Sequence, residues 1–430
     1  FAGTLGMPPH LDEVTSPPVT LRARATPEPG HPPGPDDGSL ELDGRLTLHE
    51  ALFNGLDGAV GLQLPALAAW QLLPATALPP LTDVMLRGRL TLPADLATLR
   101  LRQATLSARQ VEVRGEATLG LGAGTMLDGR LRMTRLDLDA LLPTGGSRAS
   151  PATTPGARLI PDTPLPWGWM RGKKVDLAAR IDALTLRGQV WRDVDVALEL
   201  AGNRLQLAQL RLGLPAGPAE LAVSADASVP EVPVTLRVRA PGVPLGLISR
   251  TLGLPGEASG AVRLDAQLRA QGSSARDLAA SLTGPFGATM LEGSLSNAAL
   301  VSIASAALEA LGITVPEAGR TAIRCFGVIG AFQDGIGQLR TLALDSTHLQ
   351  VAGTGQVDLA KETLALALRP MARVVGAPVE VPVVVEGPFR AIEGRLDADA
   401  FDRLGLLLSA LTGGDQSRAC AEAGLGRPEP

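Results

Sequence analysis

Hydrophobic and polar residues alternate along most of the chain. Val175, Leu177, Ala179 and Ile181 fall on one side of the pattern and Asp176, Ala178, Arg180 and Asp182 on the other. That period of two marks a strand with one buried and one wet face. Val194, Val196, Leu198 and Leu200 repeat it against Asp193, Asp195, Ala197 and Glu199. Gly202-Asn203 then predicts a tight turn, from which Leu205 and Leu207 run back and, after a slip in phase, Leu210, Leu212 and Leu214. This is an antiparallel meander. The same signature predicts strands over Leu40 to Leu48, Val84 to Leu92, Val111 to Leu119, Leu127 to Leu138, Val234 to Val238, Val262 to Leu268, Leu339 to Leu344, Leu349 to Leu359, Leu364 to Leu368 and Val379 to Val385.

Helical signals are few and short: Ala66 to Leu73, Leu245 to Leu252, Ala298 to Leu311 and Ala400 to Leu411. In the third, Asn297 is placed to cap the start and Gly312 the end. The uncharged stretch from Gly58 to Thr82 is broken by Gln63, Gln71 and four prolines, so it reads as a short helix with flanking loops and not as a membrane span. Proline crowds two stretches, Thr26 to Gly38 and Thr144 to Pro166, which read as exposed linkers. The organisation expected from these signals is a Pro-rich segment (1–38), a first β module (39–143), a linker (144–166), a second β module (167–288), a C-terminal module (289–420) and a tail (421–430). Leu42-Asp43-Gly44-Arg45-Leu46, Leu86-Arg87-Gly88-Arg89-Leu90 and Leu127-Asp128-Gly129-Arg130-Leu131 share a Leu-x-Gly-Arg-Leu frame, followed more loosely by Ala258 to Leu264. The frame points to a repeated strand unit.

Composition narrows the chemistry. Of 430 residues, 49 are glycine and 35 proline, about a fifth against roughly an eighth in an average chain, as many turns require. There is no tyrosine and aromatics total 3%, which leaves few platforms for stacking bases or sugars. The net charge of −5 offers no basic excess for a phosphate backbone, so no nucleic acid is expected as a partner.

Candidate reactive groups do not assemble into a motif. His10, His31, His49 and His348 are scattered, so neither a metal nor another cofactor is expected. Gly168 to Lys174 resembles a phosphate loop in outline, yet its interval is one residue short and Lys174 stands where a hydroxyl belongs. The Gly120-x-Gly122-x-Gly124 and Gly353-x-Gly355 runs read as turn or bulge glycines, and no Gly-x-Ser-x-Gly elbow occurs. Asp137 and Asp139 share a strand face, as solvated carboxylates do. No enzymatic activity is expected. The chain begins at Phe1 and not Met, from which a fragment or processed product is expected, with any anchor or export signal upstream.

Leu136-Asp137-Leu138-Asp139-Ala140-Leu141-Leu142-Pro143 and the cadence of Leu184 to Ala208 resemble the AsmA family. So do Leu264 to Ser274 with Asp277 to Gly284, and Asp345 to Thr363 with its Gly353-Thr354-Gly355-Gln356-Val357-Asp358-Leu359 run. The resemblance spans about Ser39 to Cys420. It implies a mainly β fold, a long curved antiparallel sheet forming a taco-like groove with a few short helices packed on or in it. It further implies a periplasmic protein tethered to the bacterial inner membrane, binding phospholipid and serving outer-membrane biogenesis.

An aliphatic sheet face fits a slot for acyl chains, though from pattern alone the same residues also suit the core of ordinary sandwiches. The candidate groove-lining positions, chosen by alternation, are Leu177, Ile181, Leu184, Leu186, Val196, Leu198, Leu205, Leu207, Val223, Leu236, Leu264 and Leu268. Alternation does not say which face is concave. A different class of function, an assembly factor or scaffold for outer-membrane proteins acting through an exposed sheet edge, is the alternative. Cys325 and Cys420 are the chain's two cysteines. They are expected as a disulfide if the compartment is oxidising, as the resemblance also implies, stabilising by about 4 to 5 kcal/mol; two partly buried thiols are the other reading.

Overall fold

The computed structural model describes residues 2–3, 18–25, 38–49, 52–66, 81–122, 126–141, 158–186, 188–251, 255–302, 314–316, 318–347, 349–374, 377–380 and 382–396. The helix expected at Ala400 to Leu411, most of those at Ala66 to Leu73 and Ala298 to Leu311, and Cys420, His10, His31 and His348 lie outside them. The chain divides into two units, one of residues 1–150 with 168–213 and one of 151–167 with 214–430. The division falls inside the expected 167–288 module.

In the first unit the strands are β1 (Ala2–Gly3), β2 (Pro18–Ala25), β3 (Gly38–His49), β4 (Leu52–Ala66), β5 (Thr82–Pro93), β6 (Thr98–Ser107), β7 (Val111–Gly120), β8 (Met126–Asp137), β9 (Lys174–Leu186), β10 (Gln189–Ala201) and β11 (Arg204–Gly213). Each pairs with the next in sequence, giving one curved, unclosed sheet. All pairs are antiparallel except β8 with β9, which is parallel. The antiparallel sheet expected from the sequence is observed, with this one parallel pair as an exception. A parallel neighbour needs a long return connection, and residues 138–173 supply it, beginning with α1 (Leu138–Leu141).

The stretch from Gly58, read as a loop leading into a short helix at Ala66, is also corrected: through Ala66 it is the second half of β4. Its inward residues Val60, Leu62 and Leu64 alternate with Ala59, Gly61, Gln63 and Pro65, so the outer positions carry no charge to reveal the pattern. The turn at Gly202-Asn203 forms with both residues at positive φ, 56° and 65°, the hairpin geometry that this pair favours. The phase slip in β11 is a bulge, since Ala197 pairs with Gln209 but Leu198 with Leu207.

The second unit contains β12 (Ala219–Asp226), β13 (Val232–Pro244), α2 (Leu245–Thr251), β14 (Ala258–Gly272), α3 (Ala275–Ala280), β15 (Gly284–Ser296), β16 (Arg320–Gln333), β17 (Ile336–Ser346), β18 (Leu349–Asp358), β19 (Thr363–Val374), β20 (Ala377–Glu380), β21 (Val383–Pro388) and β22 (Glu393–Leu396). Strands β12 to β19 pair successively and antiparallel; β20 and β21 both continue from β19, and β22 from β21. α3 is held by a capping box in which Ser274 Oγ accepts the Asp277 N–H and the Asp277 carboxylate accepts the Ser274 N–H.

A helical turn at 297–302 follows β15, but the cap expected of Asn297 is made by Ser296, whose Oγ accepts the Ala299 N–H at 3.2 Å. Asn297 is drawn inward instead. Its amide donates to the carbonyls of Pro316 and Ala318, and its oxygen accepts from the buried Thr321 hydroxyl at 2.9 Å. A fully satisfied buried amide of this kind fixes the loop after the helix to the sheet.

Residues 158–166, the described part of the expected linker, are mostly exposed, yet they are tied to the second unit. The Leu165 N–H donates to Ser273 O at 2.8 Å, and Pro164 bridges Ser274. The Glu362 carboxylate accepts the N–H groups of Leu159 and Ile160, both at 2.8 Å.

Candidate functional site

The register of the first unit carries its apolar side chains across the sheet in continuous rungs. One runs Leu42, Val60, Gly88 on β3 to β5, then Ala104, Gly115, Leu131, Ala179, Val196 and Leu210 on β6 to β11. The next runs Gly44, Gly58, Leu90, Leu101, Ala117, Gly129, Leu177, Leu198 and Leu207. A third joins Leu46, Leu56, Leu92, Leu99, Leu119, Leu127, Val175, Leu200 and Leu205. Parallel pairing of β8 with β9 preserves the rungs, because residues aligned across a ladder share a face in either orientation.

Along each strand the cover changes. At the end where β8 finishes, Leu64, Val84, Val111, Ile181, Leu184 and Val194 are buried, with Leu136 packed against both clusters and Leu138 and Leu141 of α1 sealing them. Toward the opposite end Leu46, Leu56, Leu90, Leu99, Leu101, Leu127, Leu177, Leu198, Leu205 and Leu207 are only half-buried, while Leu200 at the end of β10 is buried. A sandwich core would bury such residues almost completely.

Glycine brings two strands close together on this face. A Cβ on Gly44 or Gly58 would come within 2.6 Å of the other's Cα across β3 and β4, so the backbones close together on the side to which those bonds point. Leucines flank the glycine in each Leu-x-Gly-Arg-Leu frame, and the arginine faces out. The frame therefore builds a dip between two aliphatic walls. β-Bulges centred on Gln103 (φ 49°) and Asp193 (φ 50°) add further bends.

The structure places Leu177, Ile181, Leu184, Val196, Leu198, Leu205 and Leu207 on this one face, with Leu186 at the end of β9 opposite Gln189. In the second unit Val223, Leu236 and Leu268 form one cross-strand row, and Leu264 lies on the same face of β14, opposite Ala240 and Ala288. That row leads toward the tilted ring pair Phe286 and Phe332, 4.8 Å apart. The sequence list omitted the contribution of β3 to β8, namely Leu42, Leu46, Leu90, Leu127 and Leu131. The Leu-x-Gly-Arg-Leu frame was the signal that could have located them.

The outer face is polar and arginine-rich. A shallow depression there has Ala178 and Ala197 between Arg114, Arg130, Arg132 and Arg180. Its ion pairs are long and exposed, as with Arg180 and Asp195 at 3.6 Å, and contribute little. Among the described residues no cluster of His, Cys, Asp and Glu is arranged to hold a metal ion, and no helix is long and apolar enough to cross a membrane. Cys325, 2% exposed on β16, is disulfide-bonded; the other cysteine of the sequence, Cys420, lies outside the described residues.

Residues 98–342, more than half of the chain, match the AsmA family model. The chain belongs to the AsmA family. The matched region begins at β6 and ends in β17, so it takes in the β6 to β11 part of the half-open face and the greater part of the second unit. No curated protein and no solved structure matches this AsmA-family chain.

Proposed function

We propose that this AsmA-family protein shields phospholipid acyl chains against the concave aliphatic face of its sheets and moves lipid across the bacterial periplasm in support of outer-membrane biogenesis. It is tethered to the inner membrane and works by binding, not by catalysis. The observation that carries this reading is the half-buried state of the Leu rungs beside a glycine-lined dip. Apolar surface left open in this way is stabilised by an apolar occupant, at about 25 cal/mol for each Å² covered, and acyl chains supply that cover without demanding hydrogen bonds. Family membership supports the envelope setting.

The test is native mass spectrometry and lipid extraction of the purified protein. Co-purified phospholipid is expected. Leu198 and Leu207 face one another across β10 and β11, and the double substitution Leu198→Asp, Leu207→Asp places two carboxylates where acyl chains would lie, which should empty the face while circular dichroism stays that of a β protein. Lipid-free wild-type protein that instead holds unfolded outer-membrane proteins would favour an assembly factor.

A further inference from the structure

The chain has three lysines and four tryptophans. Two of those lysines and one tryptophan stand together in the turn that leads into β9, as Trp169, Met170, Arg171, Gly172, Lys173 and Lys174. Met170 is completely buried, while Trp169 is 46% exposed. Lys173 Nζ lies over the Trp169 ring, 5.6 Å from its centroid.

Two hairpin turns lie at the same margin of the sheet, where β5 ends, β6 begins, and β7 hands over to β8. Each presents a leucine to solvent: Leu96 is 49% and Leu121 52% exposed. The turns are joined, since the Leu121 N–H donates to Ala97 O at 2.8 Å. Leu96 also holds φ at 51°, a left-handed conformation that disfavours a side chain with a Cβ by about 1 kcal/mol or more. Glycine or asparagine would suit this turn better, so neither packing nor turn chemistry accounts for an exposed leucine there. Asp95, beside it, is turned back to accept the Ala97 N–H.

We infer that this margin of the first unit is a docking rim for an anionic lipid bilayer, with Leu96, Leu121 and Trp169 entering the interface and Arg171, Lys173 and Lys174 contacting headgroups. Tryptophan favours the membrane interface because its ring is apolar and its N–H polar. Separate apolar tips with a cationic skirt match a fluid interface, whereas a stable protein partner calls for a continuous face of about 800 Å² on each side. The rung that ends nearest the rim, Leu92, Leu99, Leu119, Leu127 and Val175, belongs to the open part of the sheet. The inference goes beyond the lipid-shielding role and does not require the face to be occupied.

Vesicle flotation tests it, using phosphatidylcholine alone and phosphatidylcholine with phosphatidylglycerol. The wild-type chain should float with the anionic vesicles, and brominated acyl chains should quench a component of its fluorescence that W169F lacks. K173E/K174E should weaken binding at low ionic strength by on the order of fivefold for each cation removed. L96S/L121S, altered only at exposed turn positions, should lose most of the remainder with an unchanged circular dichroism spectrum. A wild-type chain that stays at the bottom of the gradient, or variants that float as well as wild type, would overturn the inference and leave a protein as the occupant. Native mass spectrometry of the same samples before vesicles are added reads the occupancy of the sheet face separately.

Discussion

Arg276 Nη2 lies 3.1 Å from Glu362 Oε1, with both side chains about nine-tenths buried. The pair joins three segments distant in sequence. Arg276 also donates to Ile160 O at 2.7 Å and Ala360 O at 3.3 Å, while Glu362 accepts the N–H groups of Leu159 and Ile160. Removing one partner strands the other charge, so Glu362→Ala should lower the stability of the second unit by about 3 kcal/mol, and Arg276→Ala by a similar amount. In the double variant the losses should fall well short of additive. Urea unfolding measures this, and trypsin should cut after Arg158 faster in either single variant. Equal cleavage in variant and wild type would mean that other contacts hold the strap.

The same carboxylate makes stability depend on pH. Burial works to raise the Glu362 pKa, but the two backbone N–H groups and the Arg276 guanidinium outweigh it and hold the group below its ordinary value. A carboxylate with a lowered folded-state pKa contributes stability that is fully present above its unfolded value of about 4.3 and is lost as pH falls through the folded pKa. Wild type should therefore exceed Glu362→Gln in stability at neutral pH, with the gap narrowing below about pH 4. A constant gap from pH 7 to pH 3 would show that the ionised form is not what matters.

Gly44 and Gly58 predict a different kind of sensitivity. A methyl group on either would have to displace the opposing backbone, because the Cβ would come within 2.6 Å of the other's Cα. Gly58→Ala should destabilise the first unit by about 1 to 3 kcal/mol, although alanine is an ordinary strand residue elsewhere in β4. Thermal unfolding would detect this. A neutral result would mean that β3 and β4 can separate there at little cost.

Much of this architecture was legible in alternation. The β5, β7, β8, β9 and β10 patterns, the Gly202-Asn203 turn and the β11 bulge all declare themselves, because one face is aliphatic and the other charged. β4 was hidden by an uncharged outer face. β15 and β16 were hidden by glycine and alanine on both faces, from Gly284 to Gly293 and from Gly327 to Ala331. Parallel pairing of β8 with β9 depends on where a proline-rich connection returns, which no local period encodes. Alternation also assigned Leu198 and Leu207 to one face without revealing its curvature. The close approach of Gly44 and Gly58, a contact between strands, is likewise encoded in no local period. The Arg276–Glu362 pair left no sequence signal, since Arg276 stands in α3 and Glu362 in the turn before β19, and the two meet only in the folded chain.

Cys325 offers a last test, because its sulfur is engaged in a disulfide on a strand whose flanking residues face both sides of the sheet. A crosslink closing a long loop stabilises chiefly by restricting the unfolded chain, typically by 2–4 kcal/mol. Since the sequence has one other cysteine, Cys420, Cys325→Ser and Cys420→Ser should each lower the unfolding midpoint to that of the reduced wild type, and reductant should have no further effect on either. The oxidised wild type, unfolded in denaturant, should then show no titratable thiol. Two thiols in that titration, or a midpoint indifferent to reductant, would show that the bridge does not form under the conditions of purification and that burial alone keeps Cys325 from solvent.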